Sequence, residues 1–154
     1  MPLYEGKDPR NITLEDATVI YGAGKILKAG STANKADLST NAAIAMGITV
    51  ASSSRENAGH VLDTTAATVS YVACGGVVMV QTDAASTYDF GDLVYAGADG
   101  LASSSSASSK KVLGRYVGDS AHAATALSAP LSGDTTTATE GAMVTVDTHG
   151  AAIA

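Results

Sequence analysis

Apolar residues along this chain fall in short clusters divided by Gly, Ser, Thr and Asp. Strands spaced by such turns predict an all-β sandwich or barrel. The stretch from Phe90 to Gly118 carries the pattern most clearly. Gly91-Asp92 reads as a tight turn, since Gly accepts the positive φ that turns demand. Leu93-Val94-Tyr95 is a short strand of β-formers. Ala98-Asp99-Gly100 is a second reversal, and Val112 to Val117 another strand in which Gly114 marks a bulge or a close backbone approach.

The same reading extends to the rest of the chain. Val19-Ile20-Tyr21 seeds a strand, Gly22-Ala23-Gly24 turns, and Lys25 to Lys28 continues as a strand that Ala29-Gly30 ends. Residues 31–41 are polar and read as loop, with room for one helical turn at 35–40. Ile44 to Val50 is apolar around Gly47, and a Ser-rich loop comes next at 51–59. Residues 64–73 and 77–82 are rich in Thr, Val and Tyr, and Gly75-Gly76 between them predicts a β-hairpin. The Ser/Ala run at 102–109 reads as a flexible loop tip. Residues 120–139 give no clear pattern beyond loop and an Ala-rich turn, and Ala142 to Val146 closes the fold as a strand.

Residues 1–15 differ from the rest of the chain. Pro2 and Pro9 resist helix and central strand, charged residues surround them, and Leu3, Tyr4, Ile12 and Leu14 are isolated apolar points. One reading is a frayed terminus. The other is an extended arm docked on a neighbour through those four side chains, which makes Leu3, Tyr4, Ile12 and Leu14 the candidate binding residues. The domain plan is then an arm at 1–15 and a β domain at 16–154. Two internal echoes bear on that domain: Val19-Ile20-Tyr21-Gly22 with Leu93-Val94-Tyr95-Ala96, and Met46-Gly47-Ile48-Thr49-Val50 with Leu113-Gly114-Arg115-Tyr116-Val117. They admit two similar β units, 16–68 and 69–154, although a chain rich in Gly and Val also produces such matches by chance.

The hydrophobic share is 45%, but 29 of those residues are Ala, and Leu, Ile, Val and Phe total only 30 of 154. That supply is near the level where folding alone becomes doubtful, so a thin core stabilised by partners or self-association is expected. The net charge of −6 argues against nucleic-acid binding, which needs a basic face. No apolar run comes after Met1 and none approaches a membrane span, so neither a signal peptide nor a membrane partner is expected. The single cysteine, Cys74, lies in an apolar context and is expected to be structural.

No catalytic residues, cofactor or metal site are expected, and the chain is not read as an enzyme. Gly22-Ala23-Gly24-Lys25 fails as a phosphate loop, because Val19 stands where the first Gly belongs and Ile26 where Ser or Thr belongs. His60, His122 and His149 form no close ligand grouping, and no Gly-x-Ser-x-Gly elbow is present. Asp147 and His149 share a strand end that reads as a solvated turn.

The series Gly91-Asp92-Leu93-Val94-Tyr95, Asp99-Gly100-Leu101, Val112-Leu113-Gly114-Arg115-Tyr116-Val117 and Val144-Thr145-Val146 resembles the small head-decoration, or cementing, proteins of tailed viruses. The resemblance covers about residues 69–153. It implies a compact β-barrel or β-tulip domain on the outer surface of an icosahedral capsid, bridging subunits of the major capsid protein, commonly as a trimer with an N-terminal arm over its neighbours. Another virion component, such as a tail, fibre or minor shell protein, is the alternative, and after it a non-enzymatic ligand-binding β module.

Overall fold

The computed structural model describes residues 9–15, 22–50, 68–118 and 143–149, and within them the fold is all-β. The first five strands are β1 (Arg10–Leu14), β2 (Ile26–Ala29), β3 (Lys35–Leu38), β4 (Gly47–Thr49) and β5 (Thr68–Ala73). They close a barrel in the order β1-β3-β2-β4-β5, with β1 parallel to β3 and the other neighbours antiparallel. The next five are β6 (Val77–Gln81), β7 (Leu93–Ala96), β8 (Ala102–Ser103), β9 (Lys111–Tyr116) and β10 (Met143–Asp147). They form a sheet in the order β6-β10-β9-β7-β8, and a parallel bridge from Thr82 to Ala102 joins its two edges.

The two sheets are one design used twice. Strands β1 to β5 correspond in order to β6 to β10, with the same neighbours and the same directions. Register agrees as well. Leu27 faces Gly47 and Ile26 faces Ile48 in the first unit, where Val94 faces Gly114 and Leu93 faces Arg115 in the second. Turns repeat too. Gly30 N–H donates to the Lys35 carbonyl at 2.9 Å, and Gly97 N–H to the Leu101 carbonyl at 2.8 Å. The left-handed residue before each acceptor is Asn34 (φ 64) in one case and Gly100 (φ 70) in the other. Likewise Gly24 N–H donates to the Thr49 carbonyl (2.7 Å) and Gly91 N–H to the Tyr116 carbonyl (2.9 Å).

Packing joins the units. Leu14, Leu27, Ala36 and Val69 are buried in one cluster, with Ile12, Leu38 and Tyr71 against it. Ile26, Ile48 and Val72 of β2, β4 and β5 belong instead to a larger cluster that includes Val80, Val94, Leu113, Tyr116 and Val144 of the second unit. Successive strand side chains point to opposite faces, so β2, β4 and β5 bury both. The Tyr88 and Tyr116 rings stack within that larger cluster, 5.5 Å apart.

Several expectations need correction. Residues 35–38 form strand β3 rather than loop or helical turn, because pairing with β1 and β2 buries Ala36. Gly75-Gly76 does not turn a hairpin: β5 pairs with β1 and β4, β6 pairs with β10, and the glycines link the two units. The division between the units thus falls after β5 and not at residue 68. Ala102 and Ser103 are not a loop tip but the buried strand β8, at 0% and 3% exposure. Residues 10–14, expected in the arm, are strand β1 of the barrel, and residues 1–8 lie outside the described residues. The expected strand seed at 19–21, the loop at 51–59 and the segment at 120–139 lie outside the described residues.

Gly47 and Gly114 occupy matching positions and are held by close approach. A Cβ on Gly47 would lie 2.7 Å from the Val72 carbonyl oxygen, and one on Gly114 would collide with the Asp147 carbonyl. Gly91 has a φ of 92° but nothing within 4 Å of a Cβ. Gly114→Ala should therefore destabilise by about 3 kcal/mol through overpacking, and Gly91→Ala by only about 1 kcal/mol through its left-handed backbone. Denaturant unfolding of both variants measures the difference, and equal losses would contradict the assignment.

Candidate interaction surface

The four expected binding residues do not form one surface. Leu3 and Tyr4 lie outside the described residues. Leu14 is 1% exposed and fills the first barrel, so its side chain is not available to a partner. Ile12 is half-buried and lines a cavity of about 300 Å³ with Leu27, Ala29, Met46 and Tyr71. The sequence marked β1 as an arm because its apolar residues are sparse. The missing signal was its long-range partners, β3 and β5, which supply the rest of its environment.

Large apolar side chains are exposed elsewhere. Phe90, the only Phe of the chain, is 76% exposed, Met46 55%, Ile44 50% and Leu93 36%. Phe90 stands on a hydrogen-bonded turn. Asp89 N–H donates to the Asp92 carboxylate at 2.8 Å, and Asp92 N–H donates back to the Asp89 carbonyl at 3.0 Å. Arg115 Nη1 donates to the Gly91 carbonyl at 2.8 Å, tying the turn to β9. Beside the turn, Gly91, Asp92, Leu93, Tyr95, Ser104 and Arg115 line a shallow depression of about 390 Å³. Together these residues make a rim that is partly apolar, charged at its edge and held in shape by backbone hydrogen bonds. Such a rim suits contact with a protein surface, where a few aromatic and Arg side chains usually carry the binding energy.

The two units meet through a different rim. Gln81 N–H donates to the Gly24 carbonyl and Gln81 Nε2 to the Ala23 carbonyl, both at 2.8 Å. Ser39 Oγ donates to the Gly97 carbonyl (2.7 Å), and Gly100 N–H donates to the Ser39 carbonyl (3.2 Å). Lys25, fully buried, reaches the Asp99 carbonyl with Nζ at 3.4 Å. The Gly-Lys pair that fails as a phosphate loop is thus part of a protein–protein contact inside the chain.

Among the described residues four ionisable groups are shifted by their surroundings: burial raises Tyr88, and Asp147, Glu15 and Cys74 shift in ways that bear on stability and reactivity. At β10, burial alone would raise the Asp147 carboxyl, but hydrogen bonds from the His149 ring and backbone outweigh it and hold it below its ordinary value. Among the described residues no three His, Cys, Asp or Glu side chains come together as metal ligands, and no helix is long and apolar enough to cross a membrane. No protein-family model matches the chain, and comparison with curated proteins finds no relative.

Glu15 closes the end of β1 against the 30–35 turn. Thr32 Oγ1 and N–H donate to its carboxylate at 2.6 and 3.0 Å, which lowers its pKa. With the folded value below the unfolded one, this contact stabilises at pH above the ordinary carboxylate range, and its contribution fades as pH falls through the folded value. Glu15→Gln should remove that component from the acid side of a stability–pH profile and leave the neutral-to-basic side parallel to wild type.

Cys74 is half-buried with Sγ 3.7 Å from the Ala45 carbonyl, and burial pushes its thiol up to about 11. The thiolate fraction at pH 7 is then roughly one in ten thousand. A thiol probe should label the folded protein far more slowly than the denatured protein. Rapid labelling at neutral pH would contradict a structural role.

Proposed function

We propose that this chain is a structural virion protein that binds the exterior of an icosahedral capsid and stabilises it by bridging capsid subunits, as a decoration or cementing protein of a tailed virus. The observation that carries the reading is the Phe90–Leu93 rim. The residues on which the resemblance rests form this rim and the strands behind it: Gly91-Asp92 is its turn, Leu93–Ala96 is β7, and Lys111–Tyr116 is β9. A lone, 76% exposed Phe on a stiff β unit favours attachment to another protein over chemistry at a pocket. Burying such a side chain contributes ~1.5–3 kcal/mol, and repeated sites on a symmetric shell compound weak contacts through avidity. In this reading the partners are the major capsid protein and other copies of the chain, assembled as a trimer, and no cofactor takes part.

Residues 1–8 are the second contact in this reading. They precede β1, and Leu3 and Tyr4 are their apolar anchors. Cutting only these residues spares the barrel, whereas a cut into Arg10–Leu14 removes β1 and with it the closure of the sheet. Deleting residues 1–8 should leave thermal melting nearly unchanged and sharply lower occupancy on undecorated shells, read by electron microscopy of shells mixed with limiting protein. Equal occupancy of truncated and full-length protein would leave the β units as the sole contact. Failure of the full-length protein to bind any such shell would overturn the capsid reading itself.

A further inference from the structure

The internal contact has one face from each unit, and each face has a counterpart that the described residues leave open. Ala23-Gly24-Lys25-Ile26 of the first unit corresponds by register to Phe90-Gly91-Asp92-Leu93 of the second. Gln81 and the 97–101 turn of the second unit correspond to Thr13 and the 30–35 turn of the first. The used members are covered: Lys25, Ile26 and Gln81 are 0% exposed. Their counterparts are open. Phe90 and Leu93 are 76% and 36% exposed, Asp92 and Asn34 are exposed, and Thr13 is half-exposed.

We infer that a second copy of this chain docks its Thr13 and 30–35 turn on the Phe90–Leu93 rim, repeating between molecules the contact made between units. The charges on the open faces differ from those at the internal contact. In the internal contact Lys25 reaches the Asp99 carbonyl of the 97–101 turn; at the open faces Asp92 takes the place of Lys25, and the 30–35 turn carries Lys35 beside the Thr32-held Glu15, so docking would bring the Asp92 carboxylate toward the Lys35 ammonium. Phe90 replaces Ala23 and brings an aromatic anchor to the rim. The sign at this position is opposite to that of the internal contact, where Lys25 sits on the rim side. Rim and turn of the wrong pair, Lys25 against Lys35, would repel.

Such a contact is heterologous. Each copy offers one rim and one turn, so copies add in one direction until a ring closes. A ring of three copies would carry six barrel units. The inference concerns chain against chain and is tested on free protein; where it holds, a neighbouring copy covers the Phe90–Leu93 rim, and in the capsid reading residues 1–8 are then left as the contact with the shell.

The test is disulfide trapping in a Cys74→Ser background. Ala33→Cys probes the turn, and Ser104→Cys probes the depression beside Leu93. Mixed at the highest soluble concentration and oxidised, the two variants should form a disulfide-linked pair with one copy of each, and neither should pair efficiently with itself. The doubly substituted chain should give ladders or closed rings under non-reducing electrophoresis. Asp92→Lys should abolish the mixed product, and adding Lys35→Glu on the partner should restore it. Absence of the mixed product, or self-paired products forming as readily, would overturn the inference. So would failure of the charge exchange to restore trapping. Loss of shell binding with trapping intact would count against the capsid reading alone.

Discussion

Ile26, Ile48 and Val72 hold this molecule together, because they belong to the first unit by backbone and to the second by packing. Among the described residues the interior of the first barrel holds four fully buried apolar side chains, one of them Ala36, with Ile12, Leu38 and Tyr71 packed against them. So small a core is marginal by itself, since the area it buries must offset the ordering of every residue around it. Turning Ile26, Ile48 and Val72 outward into the larger cluster makes three strands serve two cores at once. A chain with few large aliphatic residues thereby uses each of them more fully. Lys25 shows how closely the units meet: its side chain is fully buried at the join and ends on a carbonyl of the opposite unit.

What could be read in the sequence was local. β7, the Asp99-Gly100 reversal, β9 and β10 each carry their own turn residues and β-formers, and all are present. Gly114 was recognisable as a close approach because a glycine inside a β-rich run has few other uses. The echo of Met46 to Val50 in Leu113 to Val117 is in true register, with Gly47 and Gly114 both pressed against the neighbouring strand. The other echo was misplaced. Leu93-Val94-Tyr95-Ala96 matches Ile26-Leu27-Lys28-Ala29, and the Lys in that strand hides the likeness.

What could not be read depended on distant partners. Lys35-Ala36-Asp37-Leu38 has weak strand propensity, and it becomes a strand because β1 and β2 flank it. Its parallel pairing with β1 has no turn signal at all, since parallel neighbours are joined through a crossover. β1 looked like an arm for the same reason: one buried side chain, Leu14, gives no periodicity. Gly75-Gly76 misled in the opposite direction. A glycine pair between two β-rich runs is ordinary hairpin punctuation, and only the sheet order reveals it as a link between repeated units. The candidate surface was therefore half legible: Phe90 to Leu93 stood out as a turn, but its exposure is a consequence of the topology.

Comparison of the two units separates fold from surface. Positions that define the barrel keep their character: Leu27 and Val94, Ala36 and Ala102, Gly47 and Gly114, Val69 and Val144. Positions at the contact faces change with their surroundings. Ile48 is buried and its counterpart Arg115 exposed, while Leu101 is buried and its counterpart Lys35 half-exposed. Met46, 55% exposed, stands where Leu113 is fully buried. Had the unused faces been meant for water alone, Phe90 would be the hardest substitution to explain, because its counterpart Ala23 needs no aromatic to make its backbone contact with Gln81. Phe90 stands 76% exposed on its turn, and in the proposed pairing of copies it is the side chain that the neighbour's 30–35 turn would cover.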